Sequence, residues 1–169
     1  MINIKRKLKN FGPLEILVIS SFLYVFITLV WTASTRSEVI QRASDIKSNH
    51  KIVIKFINDE INKCSSNLDG STSWGENCSL AWNSSKIVEH ILDNFKLNNP
   101  YNTKKSLVQT AQDPRIQAEG KAGQSTDKGI IFVSSNNFDS EVGSEWIIGT
   151  CVKSPCVAAG NNELASVYR

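Results

Sequence analysis

An uncharged run of 20 residues near the N-terminus constrains this chain more than any other feature. Residues 16–35 contain no ionisable side chain apart from Tyr24 and are mostly aliphatic or aromatic. A helix needs about 20 predominantly apolar residues to cross the hydrocarbon core of a bilayer. Ser20, Ser21 and Thr28 are compatible with this, because their hydroxyls can bond back to the helix backbone. The sequence therefore predicts one membrane-spanning helix.

The charges on either side of this run predict its orientation. Residues 1–10 contain four basic side chains and no acid, so the remaining 159 residues carry a net charge of −1. The positive-inside rule then places the N-terminus in the cytoplasm and the bulk of the chain outside. The basic isoelectric point comes from these first residues and does not indicate a nucleic-acid-binding face. A cleaved secretory signal is the alternative, with residues 32–34 as its cleavage site, but its apolar core would normally be about 7–15 residues long.

A helical stripe of apolar residues continues beyond the run. It consists of Val39, Ala43, Ile46, His50, Val53, Ile57, Ile61 and Cys64, spaced three or four apart as on one face of a helix. No Pro or Gly lies between Leu14 and Cys64. The pattern predicts one continuous helix of about 50 residues, about 75 Å long; a break near residues 32–36 is the alternative. His50 is interpreted as a core or boundary histidine, since no second metal ligand is suitably spaced.

Phe11 and Glu15 lie four residues apart, directly after the basic leader and directly before the apolar helix. This arrangement resembles the class III signal of type IV prepilins and type II secretion pseudopilins. The resemblance implies that prepilin peptidase cleaves between Asn10 and Phe11 and N-methylates Phe11. Asn10 stands where the family usually has Gly. Residues 1–10 would then be a leader, 11–35 the transmembrane half of the helix, 36–64 its amphipathic half, and 65–169 an extracytoplasmic globular part.

Glu15 has two interpretations. By the resemblance, it neutralises the amine of Phe11 in a neighbouring subunit during filament assembly. A buried carboxylate and a buried ammonium are each costly alone, which favours such a pair. Alternatively, Glu15 is an acid at the membrane interface, where the dipole at a helix N-terminus favours negative charge.

The rest of the chain predicts an α+β domain. Ser84 or Ser85 can cap a second helix over Lys86–Phe95, and the segment 98–102 is typical of a turn. Strands are predicted at Arg115–Glu119, Gly129–Ser134, Glu145–Val152 and Ala165–Tyr168. The segments between them suit hairpins, so the expected fold is a long N-terminal helix packed on a small antiparallel sheet. This layout resembles that of pilins.

The chain contains four cysteines, Cys64, Cys78, Cys151 and Cys156. They form no C-x-x-C motif, and no pair of histidines accompanies them as in a zinc site. Disulfides are the default outside the cytoplasm. Of three possible connectivities, the local pairs Cys64–Cys78 and Cys151–Cys156 are preferred, and a cross pairing stays open. Closing the first loop would contribute about 3 kcal/mol in the chain-entropy model.

No catalytic motif is present, neither a nucleophile elbow nor a P-loop, a zinc-protease helix or a dinucleotide-binding loop. We therefore expect that the protein is not an enzyme and that it holds no cofactor or metal ion. A calcium site formed by Asp113, Asp127 and Asp139 is a weaker hypothesis, suggested by the calcium sites of some pseudopilins.

The resemblance implies a structural subunit of a pilus or secretion pseudopilus, stored in the inner membrane. Its partners would be the membrane, other pilin-like subunits and prepilin peptidase. The alternative is a single-pass inner-membrane protein whose periplasmic domain binds a partner or ligand. A third hypothesis is a periplasmic enzyme anchored to the membrane.

The predicted topology can be tested with reporter fusions. An alkaline phosphatase fused after Arg169 should be active, because the basic leader keeps the N-terminus in the cytoplasm. A cytoplasmic reporter at the same position should be inactive. The opposite pair of results would contradict an extracytoplasmic domain.

Overall fold

A computed structural model describes residues 12–120, 128–135 and 145–169. The chain divides into two compact units, Met1–Ile40 and Gln41–Arg169. The described secondary-structure elements, in chain order, are α1 (Pro13–Ser66), α2 (Ser84–Asn94), β1 (Val108–Thr110), α3 (Pro114–Glu119), β2 (Ile131–Ser135), β3 (Glu145–Cys151) and β4 (Asn162–Tyr168).

Helix α1 is continuous over 54 residues, from Pro13 to Ser66. The alternative of a break near residues 32–36 is therefore wrong. Pro13 begins the helix, where no amide donor is needed. An 18-residue window of α1 near the N-terminus has a mean hydropathy of 2.2, and none of it is buried. By length and composition, α1 could cross a membrane; its orientation stays a prediction.

The second unit is organised around the buried side of α1. The buried residues on this helix are Ile46, His50, Val53, Ile57, Glu60, Ile61 and Cys64. The apolar residues among them share one core with apolar residues of α2 and the sheet, including Ile87, Ile91, Val133, Trp146 and Ile148. The predicted packing of the apolar stripe on a sheet is thus confirmed from Ile46 onward. Val39 is exposed and Ala43 is half-buried.

The sheet has four strands in the order β1-β2-β3-β4. β2, β3 and β4 are antiparallel neighbours, as predicted, but β1 pairs with β2 in parallel, Val108 opposite Ile131. The expectation of a wholly antiparallel sheet was therefore wrong. A parallel pair requires a crossover connection, and the segment carrying α3 supplies it. β1 has only three residues, too few for an alternating pattern to reveal it.

Residues 115–119, predicted as a strand, belong to α3 instead. The Asp113 side chain accepts a hydrogen bond from the Arg115 amide at 3.0 Å. Pro114 occupies the first turn, and Gly120 ends the helix with a positive φ of 71°. An N-cap acid, an early proline and a glycine just past the end are typical helix boundaries. These boundary residues favour a helix more strongly than the weak β pattern of residues 115–119 favours a strand.

The second helix and the three antiparallel strands lie close to their predicted positions. α2 begins at Ser84, but its N-cap is Asn83, whose side chain accepts from the Ser85 amide, rather than Ser84 or Ser85. β4 begins at Asn162, three residues earlier than predicted. The α+β class with a long helix on a small sheet is confirmed.

Helix α3 packs on the sheet face opposite α1, and a glycine permits its close approach. Ile148 belongs to the core shared with α1, so its neighbour Gly149 faces the other side of β3. A Cβ at Gly149 would lie 2.6 Å from the Pro114 carbonyl oxygen and 3.0 Å from the Ala118 Cβ. The backbone of α3 therefore leaves no space for a side chain at this position.

Gly149→Ala should destabilise the second unit, because the added methyl overpacks the contact between α3 and β3. Overpacking of this kind costs about 1–3 kcal/mol. Chemical denaturation, followed by tryptophan fluorescence, measures the change. Thr110→Ala, an exposed substitution on β1, should stay within about 0.5 kcal/mol of the parent. Equal stability of both variants would contradict the close packing.

Candidate functional site

The start of α1 carries the predicted assembly residue. The Gly12 amide donates a hydrogen bond to Glu15 Oε2 at 3.0 Å, and the Gly12 carbonyl accepts from the Ile16 amide at 3.2 Å. Gly12 is thus the N-cap, and Glu15, three residues later, forms the acidic half of a capping box. The predicted processing residues, Asn10 and Phe11, lie outside the described residues.

This geometry determines what Glu15 can do chemically. Its carboxylate lies at the N-terminus of α1, where the helix dipole favours negative charge. A carboxylate has two oxygens and about four acceptor positions. The bond from Gly12 therefore leaves Glu15 able to accept from a second donor, including an ammonium group.

The four cysteines form two local disulfides in the structure, Cys64–Cys78 and Cys151–Cys156, with Cα–Cα distances of 5.1 and 5.2 Å. This is the preferred pairing of the sequence analysis. All four side chains are buried. The first disulfide ties the last turns of α1 to the loop 67–83, and the second closes the loop after β3.

A buried carboxylate near the end of α1 orders the loop that follows. Glu60 is only 7% exposed. It accepts from the Ser73 amide at 2.9 Å and also from the Ser73 hydroxyl, and Lys63 Nζ lies 3.6 Å away. Sequence reasoning missed this residue, because its partner is 13 positions distant in a loop without a regular pattern.

A second carboxylate, Glu76, fixes the other side of the same loop. It accepts from Trp74 Nε1 at 2.8 Å and from the Asn83 amide at 3.0 Å, and it pairs with Lys86 at 3.2 Å. Burial acts to raise the pKa of Glu76, but these hydrogen bonds and the charge of Lys86 outweigh it, so its pKa is lowered. Glu60 and Glu76 thus accept hydrogen bonds from two parts of the same loop.

The loop closed by the second disulfide is also held by side-chain amides. Asn161 Nδ2 donates to the Pro155 carbonyl at 2.9 Å, and Asn162 Nδ2 donates to the Cys156 carbonyl at 2.7 Å. Tyr101 reaches the same region from the segment before β1, and its hydroxyl donates to the Val152 carbonyl at 2.6 Å. Tyr101 therefore links the segment before β1 to the start of this loop.

His50 lies between α1 and the sheet, 3% exposed. Its Nε2 is 3.2 Å from the Ile148 carbonyl oxygen. Burial lowers the pKa of His50, while the Ile148 carbonyl and the charge of Glu163 partly oppose this shift. The residue is a core histidine, as interpreted from the sequence. His90, on α2, is half-buried and stacks on Phe56 with 5.6 Å between ring centroids.

Within residues 12–120, 128–135 and 145–169, no group of three or more His, Cys, Asp or Glu side chains could hold a metal ion. Of the three aspartates in the calcium hypothesis, Asp113 caps α3, and Asp127 and Asp139 lie outside the described residues. No protein-family model, curated protein or solved structure matches this chain.

Acid should destabilise the second unit through His50. Because the folded state lowers the pKa of His50, its contribution to stability is complete above the unfolded value of about 6.5 and is lost as pH falls below it. The urea midpoint should drop between pH 7 and pH 5, and His50→Gln should reduce this drop. Thr110→Ala, which changes no titratable group, is the control and should keep the parental pH dependence; an equal drop in the parent and in His50→Gln would contradict the assignment to His50.

Proposed function

We propose that this chain is a pilin-like structural subunit, of a type IV pilus or a secretion pseudopilus, stored in the inner membrane before assembly. The observation that carries the proposal is α1 itself. Its first part is apolar and unburied over a span long enough to cross a bilayer. Its last part supplies the central core residues of an α+β unit. A filament subunit needs both parts on one helix, for storage in lipid and for support of a folded head.

The second unit has the features expected of a domain that works outside the cytoplasm. It carries two buried disulfides, which persist in oxidising compartments. Its long loop is held by one disulfide and by the carboxylates Glu60 and Glu76. A disulfide and hydrogen bonds of this kind stabilise a loop that has no large hydrophobic core of its own, which suits an exposed filament subunit. We propose that this domain is periplasmic during storage.

Glu15 would supply the specificity of assembly. An acid at the centre of a membrane helix costs about 2.5–3.5 kcal/mol on insertion scales. At the helix start, the Gly12 amide and the helix dipole offset part of this cost. After cleavage between Asn10 and Phe11, the ammonium of Phe11 in a neighbouring subunit would be the second donor. No enzymatic step is part of this function.

One observation favours a second candidate, a single-pass membrane protein whose periplasmic domain binds a partner. The bond between the Gly12 amide and Glu15 accounts for an acid at this position within a single chain. Mass spectrometry of the native N-terminus separates the two candidates. A chain that begins with N-methylated Phe11 supports the filament subunit, whereas an intact Met1 supports the anchored protein.

Two substitutions at Glu15 separate charge pairing from helix capping. Glu15→Ala removes both, whereas Glu15→Gln keeps an acceptor for the Gly12 amide and removes only the charge. If Glu15 pairs with a neighbour's ammonium, both variants should insert normally, fold normally and fail to enter filaments beside wild-type subunits. Co-purification of tagged variants with sheared filaments measures incorporation.

Glu15→Asp is the matched control, since it keeps the charge on a shorter side chain and should retain partial incorporation. If Glu15→Gln enters filaments as well as wild type while Glu15→Ala does not, the residue acts as a cap. That result would remove the main support for charge-paired assembly.

A further inference from the structure

Arg169 directly follows β4 and contacts the loop 67–83, which connects α1 to α2. Its Nη2 donates a hydrogen bond to the Cys78 carbonyl, and its guanidinium carbon lies 4.0 Å from the centre of the Trp82 ring. Cys78 and Trp82 are both buried. Arg169 therefore packs on the part of the loop that carries one half of the disulfide Cys64–Cys78.

Three interactions hold the half-buried guanidinium in this place. Burial lowers the pKa of Arg169, while the charge of Glu76 opposes this shift. A hydrogen bond from a charged donor is stronger than one between neutral groups. A cation over the face of an indole ring is also attracted by the ring, more strongly where water is excluded. The Cys78 carbonyl, the Trp82 ring and the Glu76 charge together compensate for the water that the guanidinium has lost.

The loop is also attached to α1, so Arg169 holds it from a second side. Glu60 on α1 accepts a hydrogen bond from the Ser73 amide at 2.9 Å. Arg169 connects the loop to the end of β4, 91 positions from Cys78 in sequence. Local segments of a folded protein can open separately from the rest, at a free energy set by the contacts that they lose. Any opening that carries the Cys78 backbone away from the core must break the bond from Arg169.

Such an opening decides whether thiols can reach the disulfide. Cys64 and Cys78 are each only 2% exposed, and thiol–disulfide exchange requires a thiolate to reach one of the two sulfurs. A thiolate of dithiothreitol attacks one sulfur and forms a mixed disulfide, while the other cysteine leaves as a thiolate. The second thiolate of the reductant then closes a cyclic disulfide and releases the remaining cysteine. One disulfide is thus reduced and another is formed.

We propose that Arg169 keeps the loop 67–83 closed and thereby controls the access of thiols to the Cys64–Cys78 disulfide. Local release of the loop from Arg169, and not unfolding of the whole unit, is the step that exposes the sulfurs. Arg169 is thus a positioning residue that protects one disulfide. The proposal depends only on contacts within the second unit and goes beyond both candidate functions.

The test measures how fast each disulfide is reduced in the full chain, held in lipid nanodiscs without denaturant. Dithiothreitol is added, free thiols are alkylated at intervals, and mass spectrometry quantifies the label at each cysteine. Arg169→Ala should speed the reduction of Cys64–Cys78 by about tenfold, because the charged hydrogen bond and the cation–π contact are lost. Reduction of Cys151–Cys156, which Arg169 does not close, should keep its parental rate. Arg169→Lys keeps a cation and should retain part of the protection.

A second arginine and the global stability provide the controls. Arg115→Ala removes the ion pair with Glu145, in which Nη2 lies 3.2 Å from Oε2, and should leave the reduction of Cys64–Cys78 unchanged. Urea denaturation gives the change in the global unfolding equilibrium for Arg169→Ala, and the acceleration at Cys64–Cys78 should exceed this change. An unchanged rate in Arg169→Ala would overturn the proposal. So would an acceleration no larger than the change in global unfolding, or one that is equal at both disulfides.

Discussion

The contact between one face of α1 and the sheet is the interaction on which the second unit depends. Ile46, Val53 and Ile57 are almost wholly buried in it. Burying an aliphatic side chain of this size contributes about 1.5–3 kcal/mol to the free energy of unfolding. The three residues together therefore contribute more than any single polar contact in the unit. Exposed ion pairs on the same helix, such as Lys55 with Asp59, contribute about 0–1 kcal/mol. The apolar face therefore decides where the helix lies on the sheet.

The surface pattern of α1 changes along its length. Near its N-terminus the side chains are apolar all around, and the hydroxyls of Ser21 and Thr28 donate to carbonyls of the preceding turn. No polar group of these side chains then requires water, which is a condition for residence in lipid. Past Gln41 the pattern narrows to a stripe, because only one side of the helix faces the core. The change in pattern coincides with the boundary between the two compact units.

Periodicity made much of this fold predictable. The long helix, α2 and the antiparallel strands all carry enough residues for a period of 3.6 or 2 to be read. The helix α3 and the strand β1 do not: α3 has six residues and β1 has three. In α3, the capping pattern Asp113, Pro114 and Gly120 was the better signal, and it was present in the sequence. The parallel pairing of β1 is a property of the crossover, which no local pattern encodes.

The sequence predicted functional residues only where neighbouring positions in the chain mark them. Glu15 stands out because an acid directly precedes an uncharged run, and the cysteines stand out because of their compartment and spacing. Glu60 and Glu76 do not stand out, because their partners are backbone amides and a tryptophan in a loop whose conformation depends on the complete fold. Tyr101 is similar, since it matters through contacts with Gly129 and Val152 that are distant in sequence.

The bond between Gly12 and Glu15 bears on how one residue could serve both storage and assembly. In the single chain, the helix start satisfies part of the hydrogen-bonding capacity of the Glu15 carboxylate. In the proposed stored subunit, this bond would offset part of the cost of the acid without a partner. A hydrogen bond from a neutral amide neutralises no charge, and an incoming ammonium would therefore still gain a full electrostatic interaction in a region of low dielectric constant. Under the proposed function, the bond from Gly12 lowers the free-energy cost of keeping the Glu15 carboxylate in the membrane. The free energy gained when Glu15 pairs with an ammonium during assembly remains. An uncharged acceptor at this position could accept the bond from Gly12 but could not pair with an ammonium, so the proposed assembly would account for an acid at the start of α1.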